Sequence, residues 1–244
     1  MSSGDDGRRE EIAANLSRVR ARVLAGCVAA GRSADSVTMV AVTKTFPFSD
    51  VAHLAALGVR DMGESRDGDA AAKVAQSREV GLGDLVWHFV GQVQRNKAAS
   101  VASYADVVHS VDRLRLVDAL DRGADTAARR VTCLVQVDLR EPPADDGRGG
   151  AAPDAVGEVA AALDAADHLD LGGVMAVAPR ADDPAGTDRA LARLQELSAQ
   201  LRTAYPGATI VSAGMSGDLE VAIGRGATHL RVGTALLGSR PRLG

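Results

Sequence analysis

Eight short apolar stretches recur along the chain, and alanine-rich amphipathic segments separate them. The stretches consist mainly of valine and other small apolar residues without strict alternation of polar positions, which is typical of strands buried on both faces of a parallel sheet. The predicted strands are 37–42, 59–64, 86–91, 107–111, 132–138, 172–177, 209–214 and 229–234.

The intervening segments, such as "DVAHLAALG" and "RALARLQELSAQLRTAYPG", are long enough to be crossover helices. A further helix is predicted before the first strand, because apolar residues recur there at steps of four, three, four and four: Ile12, Leu16, Val19, Val23 and Cys27. Gly31 offers a stop for this helix. Turn-rich segments at 140–153 and 179–188 are predicted to be loops after the fifth and sixth strands.

Eight strand-then-helix units predict a single α/β domain, a closed (β/α)8 TIM-type barrel with an additional N-terminal helix. We expect residues 1–8 to form a flexible N-terminus and residues 9–244 to form the barrel domain. A doubly wound open sheet is the structural alternative. Its dinucleotide-binding version is weakened because no G-x-G-x-x-G motif follows the first strand.

Composition narrows the class of protein. Apolar residues make up 46% of the chain but aromatic residues only 2%, which predicts a core of Ala, Val and Leu with close backbone packing. A net charge of −4 argues against an extended basic surface for nucleic acid. The two cysteines, Cys27 and Cys133, are expected to be small buried hydrophobic residues rather than a disulfide.

The sequence also indicates where the protein works. The first residues, "MSSGDDGRREE", lack the apolar core of a signal peptide, and no later segment has the ~18 uninterrupted apolar residues of a membrane span. We therefore expect a soluble, cytoplasmic protein without membrane or nucleic-acid partners, acting as a monomer or a weak dimer. The five histidines lack metal-ligand spacing, so no metal is predicted.

Lysine is rare in this chain, since only three of the 28 basic residues counted as Lys or Arg are lysines. One of them, Lys44, closes the first predicted strand, "MVAVTKTF", in phase with Val40 and Val42. Desolvation at a barrel mouth favours the free amine, which attacks carbonyl groups. The alternative is a lysine that only extends its ammonium to water, which an arginine could do equally well.

Arg231 lies in the middle of the last predicted strand, "HLRVGTALLG". If Leu230 and Val232 face the helices, Arg231 points into the barrel, where its charge needs a carboxylate, a phosphate or a ring-nitrogen acceptor. A structural ion pair is the alternative.

Two turns, after the seventh and eighth strands, are candidate anion sites. Gly233 and Thr234 begin a short terminal helix and offer backbone N–H groups and a hydroxyl. In the preceding turn, "SAGMSGDLE", Ser216 is either an anion ligand or only a helix N-cap. This is the position at which phosphate-bearing ligands bind in barrels of this class.

An amine, a buried guanidinium and a phosphate site together suit one ligand that carries an aldehyde, an aromatic nitrogen and a phosphate. That ligand is pyridoxal 5′-phosphate (PLP), held as a Schiff base on Lys44.

The chain resembles the pyridoxal phosphate homeostasis proteins, which look like the N-terminal barrel of alanine racemases occurring alone. The resemblance runs from residue 37 to 240 through the motifs "VAVTKTFP", "GES", "WHFVGQVQRNK", "HSVD", "GGVMAVAP", "SAGMSGDLEVAI" and "RVGTALLGSR". It implies that Lys44 forms the Schiff base and Arg231 faces the pyridine nitrogen. It also implies cofactor contacts by residues of the two turns and of the "GES" motif: Ser216, Gly233, Thr234, Met215 and Ser65. At the position of Ser65 the family usually has Asn.

The resemblance further implies a role in PLP supply without established catalytic turnover, with apo-PLP enzymes as recipients. Weak amino-acid racemase activity is the alternative, but a racemase of the related type needs a second base, usually a tyrosine from another domain. Tyr104 and Tyr205 lie in helix-like stretches that precede strands. A phosphosugar aldolase using Lys44 is a third interpretation.

Two further motifs each allow two interpretations. Within "WHF", Trp87, His88 and Phe89 are interpreted mainly as core filling, although His88 would be the first residue to consider as a second base. Lys97 is expected to be a solvated lysine at a helix start that reaches a surface acid or the ligand.

Overall fold

The computed structural model describes residues 3–140, 149–178 and 183–239. Eight parallel strands form a closed barrel in sequence order, with the last strand paired to the first. The barrel prediction is confirmed, and the open-sheet alternative is wrong. The strands are β1 Thr38–Val42, β2 Asp61–Glu64, β3 Val86–Phe89, β4 Val107–Val111, β5 Val131–Gln136, β6 Leu169–Met175, β7 Ile210–Ser212 and β8 His229–Val232.

The helices alternate with the strands and cover the barrel from outside. They are α1 Ser3–Ala29, α2 Phe48–Ala56, α3 Asp67–Glu79, α4 Ala98–Tyr104, α5 Leu114–Thr126, α6 Val156–Asp164, α7 Pro184–Ala204, α8 Leu219–Gly224 and α9 Thr234–Leu237, with short 3-10 helices at Ala34–Ser36 and Arg95–Lys97. None of the helices in these described ranges combines the length and the apolar character needed to span a bilayer.

Helix α1 packs its predicted apolar face against the barrel, where Ile12, Leu16 and Cys27 are buried. The helix already includes residues 3–8, for which the sequence predicted flexibility. Arg8 ties this start to the barrel mouth, because its guanidinium donates to the Asp50 carboxylate and to the carbonyl of Leu237.

Several predicted boundaries shift where backbone conformation changes. Strands β3, β7 and β8 end two residues earlier than predicted, at residues 89, 212 and 232 rather than 91, 214 and 234. In each case a glycine lies one or two residues beyond the observed end, where the chain leaves the sheet. The loop prediction for 179–188 is wrong from Pro184 onward, because Asp183 caps α7 through the N–H of Gly186 and proline suits the first helical position. Residues 141–148 and 179–182 of the two predicted loops lie outside the described ranges.

The core has the small-residue character that the composition predicts. Gly123 on α5 packs directly on α4, where an added Cβ would lie 2.6 Å from the Ala99 Cα. Trp87 and Phe89 are buried between the sheet and the helices. Both cysteines are buried and free, as predicted.

Candidate functional site

The chain segments that follow β1, β7 and β8 leave the barrel next to one another. Ala41 pairs with Val232, and Ser212 pairs with His229, so these three strands are neighbours. Their carboxyl ends form one half of the barrel mouth, which is where active sites occur in this fold.

Lys44 lies in the turn after β1 and is partly buried. The strand ends at Val42, so Lys44 does not close the strand as predicted but stands two residues beyond it. The next residue, Thr45, has a φ of 70°, which is unusual for a β-branched side chain. Such backbone strain is concentrated at functional sites, and here it turns the chain from Lys44 into α2.

The turns after β7 and β8 are joined by a hydrogen bond. The N–H of Ala235 donates to the Ser216 hydroxyl oxygen at 3.1 Å, which leaves the hydroxyl proton available to a ligand. Ser216 is not the N-cap of α8, because Asp218 holds that position and accepts from the N–H of Met215 at 2.6 Å. Gly233 and Thr234 start the four-residue α9, as predicted.

Two other predicted contact residues lie at the same end of the barrel. Ser65 follows β2 directly, and its backbone packs on Gly91, where an added Cβ would lie 2.8 Å from the Ser65 Cα. Met215 is 39% exposed and lies in the turn after β7. The structure therefore brings the predicted residues to one end of the barrel, although their contacts with a ligand remain predictions.

Arg231 points into the barrel, as the strand phase predicted, and is 6% exposed. Its guanidinium donates to the Ser212 hydroxyl oxygen at 2.7 Å and to the Ala176 carbonyl at 2.8 Å. No ion pair of Arg231 occurs among the described residues, so the alternative of a structural ion pair is not supported there. Burial lowers the pKa of Arg231 to about 10, although the Asp218 carboxylate acts in the opposite direction. The guanidinium therefore stays charged at neutral pH.

A buried ion pair supports the segment that carries Lys44. The Lys73 ammonium donates to the Glu64 carboxylate at 2.6 Å and to the carbonyl of Thr43 at 2.8 Å. The Thr43 hydroxyl donates to the same carboxylate oxygen at 2.7 Å. Sequence reasoning missed this cluster, although the rarity of lysine was a signal that Lys73 could have a specific role.

His88 does not face the mouth of the barrel. Its two ring nitrogens lie 2.9 Å from His109 Nε2 and 3.0 Å from the Asp61 carboxylate. The side chain is 2% exposed, so the suggestion that it could be a second base finds no support in this arrangement. Trp87 and Phe89 fill the core as predicted.

Lys97 and Tyr104 both interact with Asp67. The Lys97 ammonium lies 3.5 Å from the Asp67 carboxylate, so its partner in the structure is an acid, although the Asp67 side chain is only 12% exposed. The Tyr104 hydroxyl donates to the same carboxylate, and burial raises the pKa of this phenol well above its usual value. Within the described ranges, no cluster of three His, Cys, Asp or Glu side chains could hold a metal ion.

The other half of the mouth contains a cavity of about 380 Å³. Residues that close or follow β3, β5 and β6 line it, among them Val90, Gln136 and Met175. The lining is mainly apolar with a few polar groups, as is usual for small-molecule sites.

Comparison with known proteins agrees with this arrangement. The family model described as "Alanine racemase, N-terminal domain" matches residues 9–241. The pyridoxal phosphate homeostasis protein of Mycobacterium tuberculosis H37Rv is 42% identical, over 96% of this chain and 94% of its own. The protein of the same name from Escherichia coli K12 is 33% identical, over 94% and 97%.

Solved structures extend the comparison. PipY of Synechococcus elongatus PCC7942, solved with PLP bound, has a TM-score of 0.80 and 32% identity, over 93% of this chain and all of its own. An alanine racemase of Clostridium difficile 630 has a TM-score of 0.74 at 16% identity and shares the fold over 58% of its own length. The fold and the site thus define a single-barrel protein of the alanine racemase N-terminal type. Within that class, the chain belongs to the pyridoxal phosphate homeostasis protein family.

The buried pair below Lys44 generates a stability prediction. Lys73→Met should lower the free energy of unfolding by about 3 to 5 kcal/mol, because it leaves the Glu64 carboxylate buried without its cation. The double change Lys73→Met with Glu64→Leu should recover most of this loss, since an apolar pair has no charge to compensate. Urea unfolding measures both.

Lys97→Met is the matched control, because the Lys97 side chain is half-exposed and Asp67 keeps its hydrogen bonds from Ser100 and Tyr104, so the loss should be less than about 1 kcal/mol. An equal loss of stability in the single and the double Lys73 variants would show that the charge pair is not what holds this segment.

Proposed function

We propose that this chain binds PLP at the mouth of the barrel and holds it as a Schiff base on Lys44. Ser216, Gly233 and Thr234 bind the phosphate, Arg231 faces the pyridine nitrogen, and Met215 and Ser65 complete the contacts. The observation that carries the proposal is the convergence of an amine, two turns with N–H and O–H donors, and a charged guanidinium on the adjacent strands β1, β7 and β8.

The chemical groups present suit this ligand. PLP, when bound, supplies an aldehyde that amines capture and a ring that can withdraw electrons from bonds to that carbon. Backbone N–H groups and hydroxyls at the start of a helix suit a dianionic phosphate. Arg231 can only donate hydrogen bonds, so it matches an unprotonated ring nitrogen.

The role that we infer is the storage and supply of PLP rather than turnover. An arginine keeps the ring nitrogen unprotonated, which makes the ring a poor electron sink. The relatives named as pyridoxal phosphate homeostasis proteins support the same inference. We further propose that the chain acts in the cytoplasm, as a monomer or weak dimer, and that apo-PLP enzymes receive the cofactor.

Weak amino-acid racemase activity is less well supported. A second base would have to face the ligand at the barrel mouth. Among the described residues, His88 is enclosed in the barrel, Tyr104 donates to Asp67, and Tyr205 caps the end of α7.

The linkage to Lys44 is tested by borohydride reduction followed by peptide mass mapping. The phosphopyridoxyl label should be on Lys44, and Lys44→Arg should abolish labelling without unfolding the protein, because a guanidinium forms no comparable Schiff base. Lys97→Arg is the matched control and should keep the label. Labelling that stays at Lys73 or Lys97 in the Lys44 variant would refute the assignment.

The phosphate contacts are tested by removing hydroxyl groups. Ser216→Ala and Thr234→Val should each weaken PLP binding by about 1.5 to 3 kcal/mol, since each removes a donor to a dianion. Binding of pyridoxal, which lacks the phosphate, should be unchanged. Thr203→Val, on the exposed surface of α7, is the control. If both variants bind PLP as tightly as the parent, the phosphate binds elsewhere.

The carrier role is tested by incubating the PLP-loaded protein with L-alanine and, separately, with an apo-PLP enzyme. We expect no D-alanine above the rate with free PLP, together with activation of the apoenzyme. Multiple-turnover racemization would instead establish the enzymatic alternative.

A further inference from the structure

A line of hydrogen-bonded side chains crosses the barrel interior below the proposed cofactor site. Arg231 Nη1 donates to Ser212 Oγ, which lies 2.9 Å from His109 Nδ1. His109 Nε2 lies 2.9 Å from His88 Nδ1, and His88 Nε2 lies 3.0 Å from Asp61 Oδ1. Each of these five side chains comes from a different strand, in the order β8, β7, β4, β3 and β2, and Asp61 is the first residue of β2.

The two ends of this line have opposite chemistry. A guanidinium can only donate, and an ionised carboxylate can only accept. With both imidazoles neutral, every proton then has one place: Ser212 donates to His109 Nδ1, His109 donates from Nε2 to His88 Nδ1, and His88 donates from Nε2 to Asp61. Each of the four contacts has one donor and one acceptor.

The opposite direction would place a second cation inside the barrel and leave the Ser212 proton without a recorded acceptor among the described residues. If His109 donated from Nδ1 to Ser212, His88 would have to donate to His109 and to Asp61 at once, and would be a cation. Ser212 would then accept from both Arg231 and His109, and no described residue is recorded as an acceptor for its own proton. Burial, with added effects of His88 and Arg231, lowers the pKa of His109 well below its usual value, which agrees with a neutral ring.

We propose that His109, acting through Ser212, is a positioning residue for Arg231, and that Asp61 at the opposite end of the barrel completes the line. His109 fixes the Ser212 proton on the side away from Arg231, so the oxygen lone pairs are directed at the guanidinium. The line also joins the buried Arg231 cation to the Asp61 carboxylate, whose side chain is 26% exposed at the start of β2. The carboxylate therefore lies at the opposite end of the barrel from the ligand. Hydrogen bonds in such a chain polarise one another, which strengthens the hold on the guanidinium.

The hydrogen-bonded line does not depend on the proposed function. Its consequence does rest on that function, because Arg231 is held in place for the pyridine nitrogen of PLP. His109 contacts Arg231 only through Ser212, so it affects the cofactor without touching it. Supporting residues of this kind often alter ligand affinity nearly as much as direct contacts do.

The direction of the line is tested on the full chain by ¹⁵N NMR of the histidine side chains, which number five. His109 and His88 should both carry their proton on Nε2 and none on Nδ1, with or without PLP. A proton on His109 Nδ1, or a doubly protonated His88, would overturn the proposal. His109→Leu identifies the His109 signals by removing them.

The consequence is tested with PLP. His109→Leu should raise the dissociation constant for PLP about 10-fold and shift the visible absorbance band in the same direction as Arg231→Leu. His229→Leu is the matched control, because its ring lies 6.0 Å from the His88 ring but makes its hydrogen bond with Thr228 outside the line. It should leave the PLP band and affinity unchanged.

The outcomes separate the two proposals. An unchanged band and affinity in Arg231→Leu would refute the proposed role of Arg231, whatever the histidine tautomers are. A changed band in Arg231→Leu with a parental band and affinity in folded His109→Leu would refute the positioning role alone. If His109→Leu does not fold, the tautomers measured in the parent protein still test the direction of the line, and the opposite tautomers would overturn the inference.

Discussion

Four residue pairs between β1 and β8 close the barrel, and the candidate site depends on them. They bring the first and the last strand into register, with Val40 opposite Arg231 and Ala41 opposite Val232. The chain that carries Lys44 therefore leaves the sheet beside the chain that begins α9. An amine and an anion-binding turn that lie far apart in sequence become neighbours because the sheet has no free edge.

Closure of the barrel also buries the Arg231 guanidinium, and its charge needs hydrogen-bond acceptors inside the barrel. A barrel of this size has an interior filled by side chains, and an unpaired guanidinium there would be costly. Arg231 is instead held by a hydroxyl and a carbonyl, and the hydroxyl continues into two histidines and a carboxylate. Between α3 and β2, Lys73 and Glu64 form a separate buried pair that supports the chain before Lys44. Both arrangements keep charged groups rigid beneath the mouth, where a ligand needs them in fixed positions.

Much of the fold could be predicted from the sequence, because it depends on local patterns. The eight apolar stretches, the helical spacing before the first strand and the phase of Arg231 all rest on periodicity, and the structure confirms them. The candidate residues could also be found, since strand ends are recognisable and Lys44 is one of three lysines.

Features that depend on pairing between distant strands could not be predicted. The acceptors of Arg231 come from β7 and from the residue after β6, and the link between His88 and His109 requires the register of β3 against β4. The sequence analysis considered His88 only as core filling or as a second base, and no pattern within β3 or β4 indicates that His88 and His109 meet. Lys73 lies on a helix whose other residues are mostly small or polar, so its burial against Glu64 follows only from how α3 packs on β2.

The central claim is that Lys44 holds PLP at the mouth of the barrel, and the absorption spectrum of the protein as purified tests it most directly. We expect a yellow protein with a visible band that is absent from the Lys44→Ala variant prepared in the same way. A colourless parent protein that stays colourless after incubation with PLP, or a band of equal strength in the variant, would contradict the account.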